Sequence, residues 1–386
     1  MEAIPAGAQR PPGDGLTFPV NDQPIFPDYS GANVRAIVPT LLAPNRASGR
    51  DWMPAPVREA AQVVVLVLDG LGWEQFVEHR QEMPALGGFE GGAITTVAPS
   101  TTATALTSIT TGLTPGEHGL VGYRMDIGGE ILNVLRWATS AGDARRKHEP
   151  GRVQPFAPFM GQPVPVVTKA DFERTGFTEA HLRGGRLVGW RAASSLAITI
   201  GELLRAGEPL IYAYYDGIDK IAHERGFGPY YEAELRSADD IVEQIRRQLI
   251  DNSALLVTAD HGQVDVGTNE RPPSDEVLKL TRYLSGEGRF RWLHARPGAS
   301  EDLLQAARAA HSDVAWVMSR QELIEGGWFG PVVSPPIAAR FGDVALMPRT
   351  AISFLDPADS GPYPLVCRHG SLTSAEMLVP LLASTS

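Results

Sequence analysis

Three aspartates and three histidines stand where the surrounding sequence can bring them together. Asp69 follows the apolar run Val63–Leu68, and Asp260-His261 follows the apolar run Ala254–Ala259. Asp219 and His223 are four residues apart, a spacing that puts both on one face of a helical turn. His369 opens His369-Gly370-Ser371-Leu372. A carboxylate at the end of a buried strand is costly to leave unpaired, so it should meet a cation or sit at the sheet rim. The competing reading is a helix N-cap. Asp216, three residues before Asp219, competes with it as a ligand, and Gly262 permits a tight turn after His261. Three Asp and three His can supply two divalent cations, Mn2+ or Zn2+, with three ligands each. His118, His181, His294 and His311 fall in no such pattern and are assigned no metal role. Between the first two ligand segments, Pro99-Ser100-Thr101-Thr102-Ala103-Thr104 is rich in hydroxyls and precedes a helix. Free N–H groups at a helix N-terminus favour both a nucleophile and a phosphoryl oxygen. Composition does not choose among Ser100, Thr101, Thr102 and Thr104. Two cations and an activated hydroxyl are the equipment of phosphoryl transfer.

These groups must be held by a scaffold, and the pattern from residue 62 alternates apolar strands with helical stretches. That signals an α/β fold, a mostly parallel sheet between helices. Strands are expected over 62–68, 93–98, 163–167, 209–215 and 253–258, and helices over 102–111, 194–206 and 231–248. Residues 1–30, rich in Pro, Gly and Asp, read as an N-terminal tail. Residues 31–264 and 351–386 read as the catalytic core, and 265–350 as a small inserted α+β lobe. Gly70-Leu71-Gly72 lacks the third glycine of a dinucleotide loop.

A chain of 386 residues with 43% hydrophobic content can bury a large core. Its net charge of −11 argues against a nucleic acid polymer as partner, although bound cations would still admit a small anion. No run of about 18 apolar residues predicts a membrane span, and no obligatory protein partner is evident. The first residues lack the basic and apolar regions of a signal peptide. The single Cys367 suits a reducing compartment and reads as a buried hydrophobe. A cytoplasmic location is expected.

The motifs Leu68-Asp69-Gly70, Pro99 to Gly119, Asp219 to His223, Asp260-His261-Gly262 and His369-Gly370 resemble the nucleotide pyrophosphatase/phosphodiesterase branch of the alkaline phosphatase superfamily. In that branch the nucleophile lies ten residues before the glycine of a Thr-Gly-Leu turn. Here Thr111-Gly112-Leu113 is the turn, which implies Thr102. The resemblance further implies Asp219, His223 and His369 at one metal, and Asp69, Asp260 and His261 at the other, with Thr102 reaching it or bridging the two. The branch commonly has an Asn three residues after the nucleophile, but this chain has Ala105, so oxyanion support falls to the Ala103 backbone N–H, the metals or another residue that the motifs do not identify. The chain is also similar to a cytoplasmic bacterial subgroup that includes AtaC-type cyclic di-AMP phosphodiesterases. The implied activity is hydrolysis of a small nucleotide diester, cyclic di-AMP to pApA and then AMP. The alternatives are a phosphomonoesterase or phosphonate hydrolase, with Lys220 or Arg124 near the phosphate, and a nucleotide-binding pseudoenzyme. Within the lobe, Trp328 and Phe329 are expected on a loop where they contact the substrate base, against the alternative that they fill the lobe's core.

Overall fold

The run Gln62–Leu68 forms the central strand, and the other strands assemble around it. The structure, a computed structural model, describes residues 23–43, 51–359 and 364–386. In chain order, the strands used below are β1 (Gln62–Leu68), β2 (Glu90–Thr95), β3 (Pro165–Lys169), β4 (Arg186–Trp190), β5 (Leu210–Tyr215) and β6 (Ser253–Thr258). They continue with β7 (Thr281–Glu287), β8 (Phe290–Ala295), β9 (Ala315–Ser319), β10 (Val344–Pro348) and β11 (Leu378–Thr385). Seven of them make one sheet in the order β2-β11-β6-β1-β5-β3-β4. β1 runs parallel to β5 and β6, and β3 runs parallel to β4 and β5. Only β11 is antiparallel to its neighbours, β6 and β2. Val63 to Leu68 are fully buried, as a parallel strand covered on both faces requires. The run therefore lacks any polar alternation. This is the α/β, mostly parallel architecture that the sequence predicts.

Two strands of this sheet escape a reading of local pattern. β4 is a short edge strand that contains Arg186 and Gly189. β11 contains Pro380, which normally argues against an interior strand. Its ladder with β6 begins only at Leu381, so the strand on that side has already ended opposite the proline. β2 also begins and ends earlier than expected, at Glu90 and Thr95. Residues 96–101 then leave the sheet and lead into the Thr102–Thr111 helix, whose bounds match the expectation. The other two expected helices are Leu196–Arg205 and Pro229–Arg246.

Residues 281–348 carry a second sheet, ordered β7-β8-β10-β9. One of its faces shares a small core with the Ser300–His311 helix, through Leu293, Leu303, Ala307, Val344 and Leu346. The other face sends Phe290, Trp292, Ala345 and Met347 into the main core. Arg289, between β7 and β8, forms a fully buried bidentate pair with Glu376, at 2.7 and 2.8 Å. Glu376 in turn accepts the N–H of Ser371 at 2.9 Å, so this second sheet steadies the loop that carries His369. Of the expected tail, residues 1–22 lie outside the described residues. Within the remainder, Ile25 donates its N–H to Leu372 O at 2.8 Å, and Tyr29 donates to Trp328 O at 2.8 Å.

Candidate metal centre and nucleophile

Asp69 and Asp216 directly follow β1 and β5, and Asp260 follows β6 after Ala259; the three strands are adjacent and parallel, so all three carboxylates emerge at one sheet edge. Carboxyl ends of parallel strands are where α/β folds collect ligands. Asp216 occupies the N-cap position of the Gly217–Arg225 helix, whose first turns carry Asp219 and His223. The His369 loop is tied to the hydroxyl segment. Ser100 N–H donates to Gly370 O at 3.1 Å, Ser100 Oγ to Ser371 O at 2.7 Å, and His369 Nδ1 lies 3.0 Å from Ser100 O.

Two groups of donor atoms result, each drawn within 4.8 Å: Asp219, His223 and His369, and Asp69, Asp219 and His261. Asp260 joins the second, with Oδ2 3.4 Å from His261 Nε2. All three imidazoles turn Nδ1 to a backbone carbonyl. His223 meets Cys367 O at 2.6 Å, His261 meets Gly262 O at 3.1 Å, and His369 meets Ser100 O as above. Such a bond places the proton on Nδ1 and leaves the Nε2 lone pair directed inward, the tautomer a metal ligand needs.

The carboxylates lack what they would need as isolated ions. Asp69 Oδ1 and Asp260 Oδ2 are buried with no hydrogen-bond partner. Burial, and then the charges of Asp260 and Asp219, hold Asp69 well above the usual carboxylate range. Asp219 and Asp260 are pushed up as well, chiefly by burial. His261 and His369 are pushed down, again chiefly by burial, so they do not supply the missing positive charge. Neutral imidazoles beside crowded, unsatisfied carboxylates fit divalent cations, and the donor set suits Zn2+ or Mn2+.

Among the four hydroxyls, the geometry discriminates. Thr102 Oγ1 lies 3.0 Å from His261 Nε2. Ser100 is engaged with the His369 loop, Thr104 is fully buried, and Thr101 stands at the N-cap position. The N–H of Ala103 lies in the first turn of the helix, and no acceptor takes it among the described residues. Ala105 is fully buried and offers no polar group.

Other expectations are corrected. Asp216 is held by Lys169 and Lys220, which removes it from the ligand groups. Arg124 is buried against Asp356, away from the centre. Gly262 does not have a left-handed backbone. Its need for glycine is steric, because a Cβ there would lie 2.0 Å from Ala375 O. Cys367 is buried, which pushes its thiol up, while its carbonyl orients His223. The control histidines have structural partners, including Ser108 for His118 at 2.9 Å and Ser285 for His294 at 2.8 Å.

Trp328 and Phe329 are a further correction. Both are buried, and neither lines the cavities at the centre. Phe329 stacks on Phe341 with centroids 4.2 Å apart, and Trp328 packs edge-on against Phe26 at 5.0 Å. The second sheet uses these rings to attach itself to the main core. Phe329→Ala is therefore expected to cost about 3–5 kcal/mol of stability in a denaturant titration. A variant of unchanged stability would return this ring to a role in binding.

Two cavities open onto Thr102. One, about 290 Å³, is walled by Leu106, Phe172, Phe177, Leu182 and Tyr214, with Lys220 also on its wall. The other, about 540 Å³, reaches His223 and His369 and is bounded by Glu287, Leu355 and Arg368. Leu135, Thr102 and Asp219 line both. Leu135 lies in the turn between two strands, Ile131–Asn133 and Ala138–Thr139, of a small antiparallel sheet within 124–143, a region where local pattern indicates no element. Sequence reasoning also missed Tyr214, whose hydroxyl donates to Asp69, and Gln263, whose amide donates to Asp219 at 2.9 Å.

The fold has solved relatives. Murine ectonucleotide pyrophosphatase/phosphodiesterase 5 aligns with a TM-score of 0.62 at 15% identity, over 84% of this chain and 88% of that one. The same murine protein has also been solved as an inactive threonine-to-alanine variant in complex with AMP, with a TM-score of 0.63 at 15% identity, over 84% and 88%. Phosphonoacetate hydrolase from Sinorhizobium meliloti 1021, in complex with phosphonoformate, aligns with a TM-score of 0.62 at 16% identity, over 85% and 91%. No curated protein shows a significant sequence match. The family model for type I phosphodiesterase / nucleotide pyrophosphatase matches residues 63–371, which include every candidate ligand and Thr102. The chain therefore belongs to the type I phosphodiesterase / nucleotide pyrophosphatase family, hydrolases of the alkaline phosphatase superfamily.

Proposed function

We propose that this hydrolase cleaves nucleotide phosphodiesters through Thr102 with two divalent cations. Asp219, His223 and His369 hold one, and Asp69, Asp260 and His261 hold the other. The observation that carries the reading is Thr102 Oγ1 at 3.0 Å from His261 Nε2, at a helix N-terminus and beside both donor groups. Bound cations supply Lewis acidity to the phosphoryl oxygens and favour loss of the threonine proton. Thr102 Oγ then attacks phosphorus in line, the bond to the departing ester oxygen breaks, and water later hydrolyses the phosphothreonine. The Ala103 N–H, in the first turn of the helix, would support a non-bridging oxygen as it gains charge, in place of the Asn that Ala105 replaces.

The 290 Å³ cavity, with Phe172, Phe177 and Tyr214, suits the nucleoside retained on the attacked phosphate. Cyclic di-AMP is the best specific substrate, giving pApA and then AMP. A cytoplasmic location accords with the one buried cysteine and with a small nucleotide as partner. No helix among the described residues is long and apolar enough to cross a membrane.

Phosphonate hydrolysis is the second reading, favoured by Lys169 and Lys220 converging beside the smaller cavity. Asp216 between them cancels one of the two charges, which weakens that site for a dianion. The deciding assay compares cyclic di-AMP, pApA, ATP and phosphonoacetate, each with Mn2+ and with Zn2+. The highest kcat/KM is expected on the dinucleotides. Preference for phosphonoacetate, or cleavage of no diester, would overturn the reading. Removing divalent ions with a chelator should abolish turnover and lower Tm, because the ions bind the folded state alone, and adding either ion back should restore both. A Tm indifferent to chelation would count against structural occupancy of the centre.

A further inference from the structure

We infer that the 540 Å³ cavity is the leaving-group subsite, and that Glu287 and Leu355 make it select a departing nucleoside. This rests on the phosphodiesterase reading above and extends it to the second arm of the substrate. The two cavities meet at Thr102, Asp219 and Leu135, so a phosphate held at Thr102 has a separate space on either side. A diester needs both spaces when each of its arms is bulky, and in-line attack requires the departing arm to be positioned as firmly as the retained one.

The chemistry of the larger cavity indicates what departs into it. Glu287 is buried. Its Oε2 accepts the N–H of Tyr123 at 3.0 Å, whereas its Oε1 has no partner. Arg368 likewise has an unpartnered buried Nε, although its guanidinium also meets Glu270. Unsatisfied buried polar atoms are few in native proteins, and those lining a cavity beside a reactive centre suit a bound ligand's donors and acceptors. Glu270 and Asp359 match Arg136 and Arg368 on these walls. Beyond the metal ligands at its mouth, the cavity would offer pyrophosphate no surplus of positive charge. A neutral nucleoside would find an acceptor for its hydroxyl or amino protons and, in Leu135 and Leu355, an apolar surface for its base. Glu287 ends β7, so the second sheet reads the substrate through this carboxyl and not through Trp328 or Phe329.

The test compares ApA, the dinucleotide without a 5′-phosphate, with the p-nitrophenyl ester of AMP: both retain AMP, but the first releases adenosine and the second a smaller group. Glu287→Gln replaces one of the two carboxyl oxygens with an amide nitrogen and so halves the acceptors this side chain can offer. Leu355→Trp fills the cavity from a residue that is 38% exposed, so its fold tolerates the change if the buried Glu287 variant proves unstable. In each variant the ratio of kcat/KM for ApA to that for the nitrophenyl ester should fall about tenfold or more. Equal losses on both substrates, or an unchanged ratio, would overturn the assignment. If wild-type protein cleaves the nitrophenyl ester through Thr102 but not ApA, the subsite is wrong while the phosphodiesterase reading survives. If it cleaves neither, both fall.

Discussion

Thr102→Ala is expected to lower kcat on any phosphodiester by at least about a hundredfold, with Thr101→Ala within about threefold of wild type. The two residues are adjacent, yet their hydroxyls are not equivalent. Thr102 Oγ1 is 3.0 Å from His261 Nε2, while Thr101 stands at the N-cap position and lines only the larger cavity. Replacing Thr102 removes the atom that bonds to phosphorus, whereas replacing Thr101 removes a methyl and a hydroxyl from the wall. Ser100→Ala is a different kind of control. It deletes a hydrogen bond of 2.7 Å to the loop that carries His369, so its effect should appear as weaker metal binding, not as a lost nucleophile. Steady-state kinetics, with mass spectrometry for a phosphorylated peptide during turnover, would separate these cases. If Thr101→Ala is the inactive variant, the assignment of Thr102 is wrong.

Asp260→Asn should lower kcat/KM by on the order of a hundredfold or more, because a cation that loses an anionic ligand loses several kcal/mol of its catalytic charge stabilisation. The fold should survive. Asp260 Oδ1 accepts the N–H groups of Gly70 at 3.2 Å and of His261 at 3.1 Å, and an asparagine oxygen accepts both equally well. The other oxygen, Oδ2, has no partner to lose. In metal-free protein the substitution removes a charge that pushes Asp69 up, so Tm without metal should hold or rise. The rise in Tm on adding Mn2+ or Zn2+ should shrink at the same time. Metal content measured on purified protein, together with paired melts, checks both parts. Full occupancy with near-wild-type turnover would remove Asp260 from the centre.

Local sequence determined the types of group available and the rigid elements that carry them. Buried parallel strands must be apolar on both faces, so β1 and β6 announce themselves, and with them the carboxylates Asp69 and Asp260 at their ends. Spacing alone joined Asp219 to His223, because a helix repeats its face every three to four residues. Tertiary structure decided which candidates converge, since convergence depends on contacts between segments far apart in the chain. Asp216 and Asp219 look alike in sequence, but Lys169 neutralises one of them from a neighbouring strand. Trp328 and Phe329 flank glycines and suit an exposed loop, yet the second sheet buries them where it meets Phe341 and Phe26. Leu135 and Glu287 carry no local signal of function; they reach the cavities only because a small sheet and β7 fold over them. β11 follows the same rule, because Pro380 is tolerated only where β6 has already ended. Local pattern records what each residue costs to bury. Which unsatisfied groups face one another is settled by long-range packing, as when His223 finds its carbonyl partner 144 residues away at Cys367.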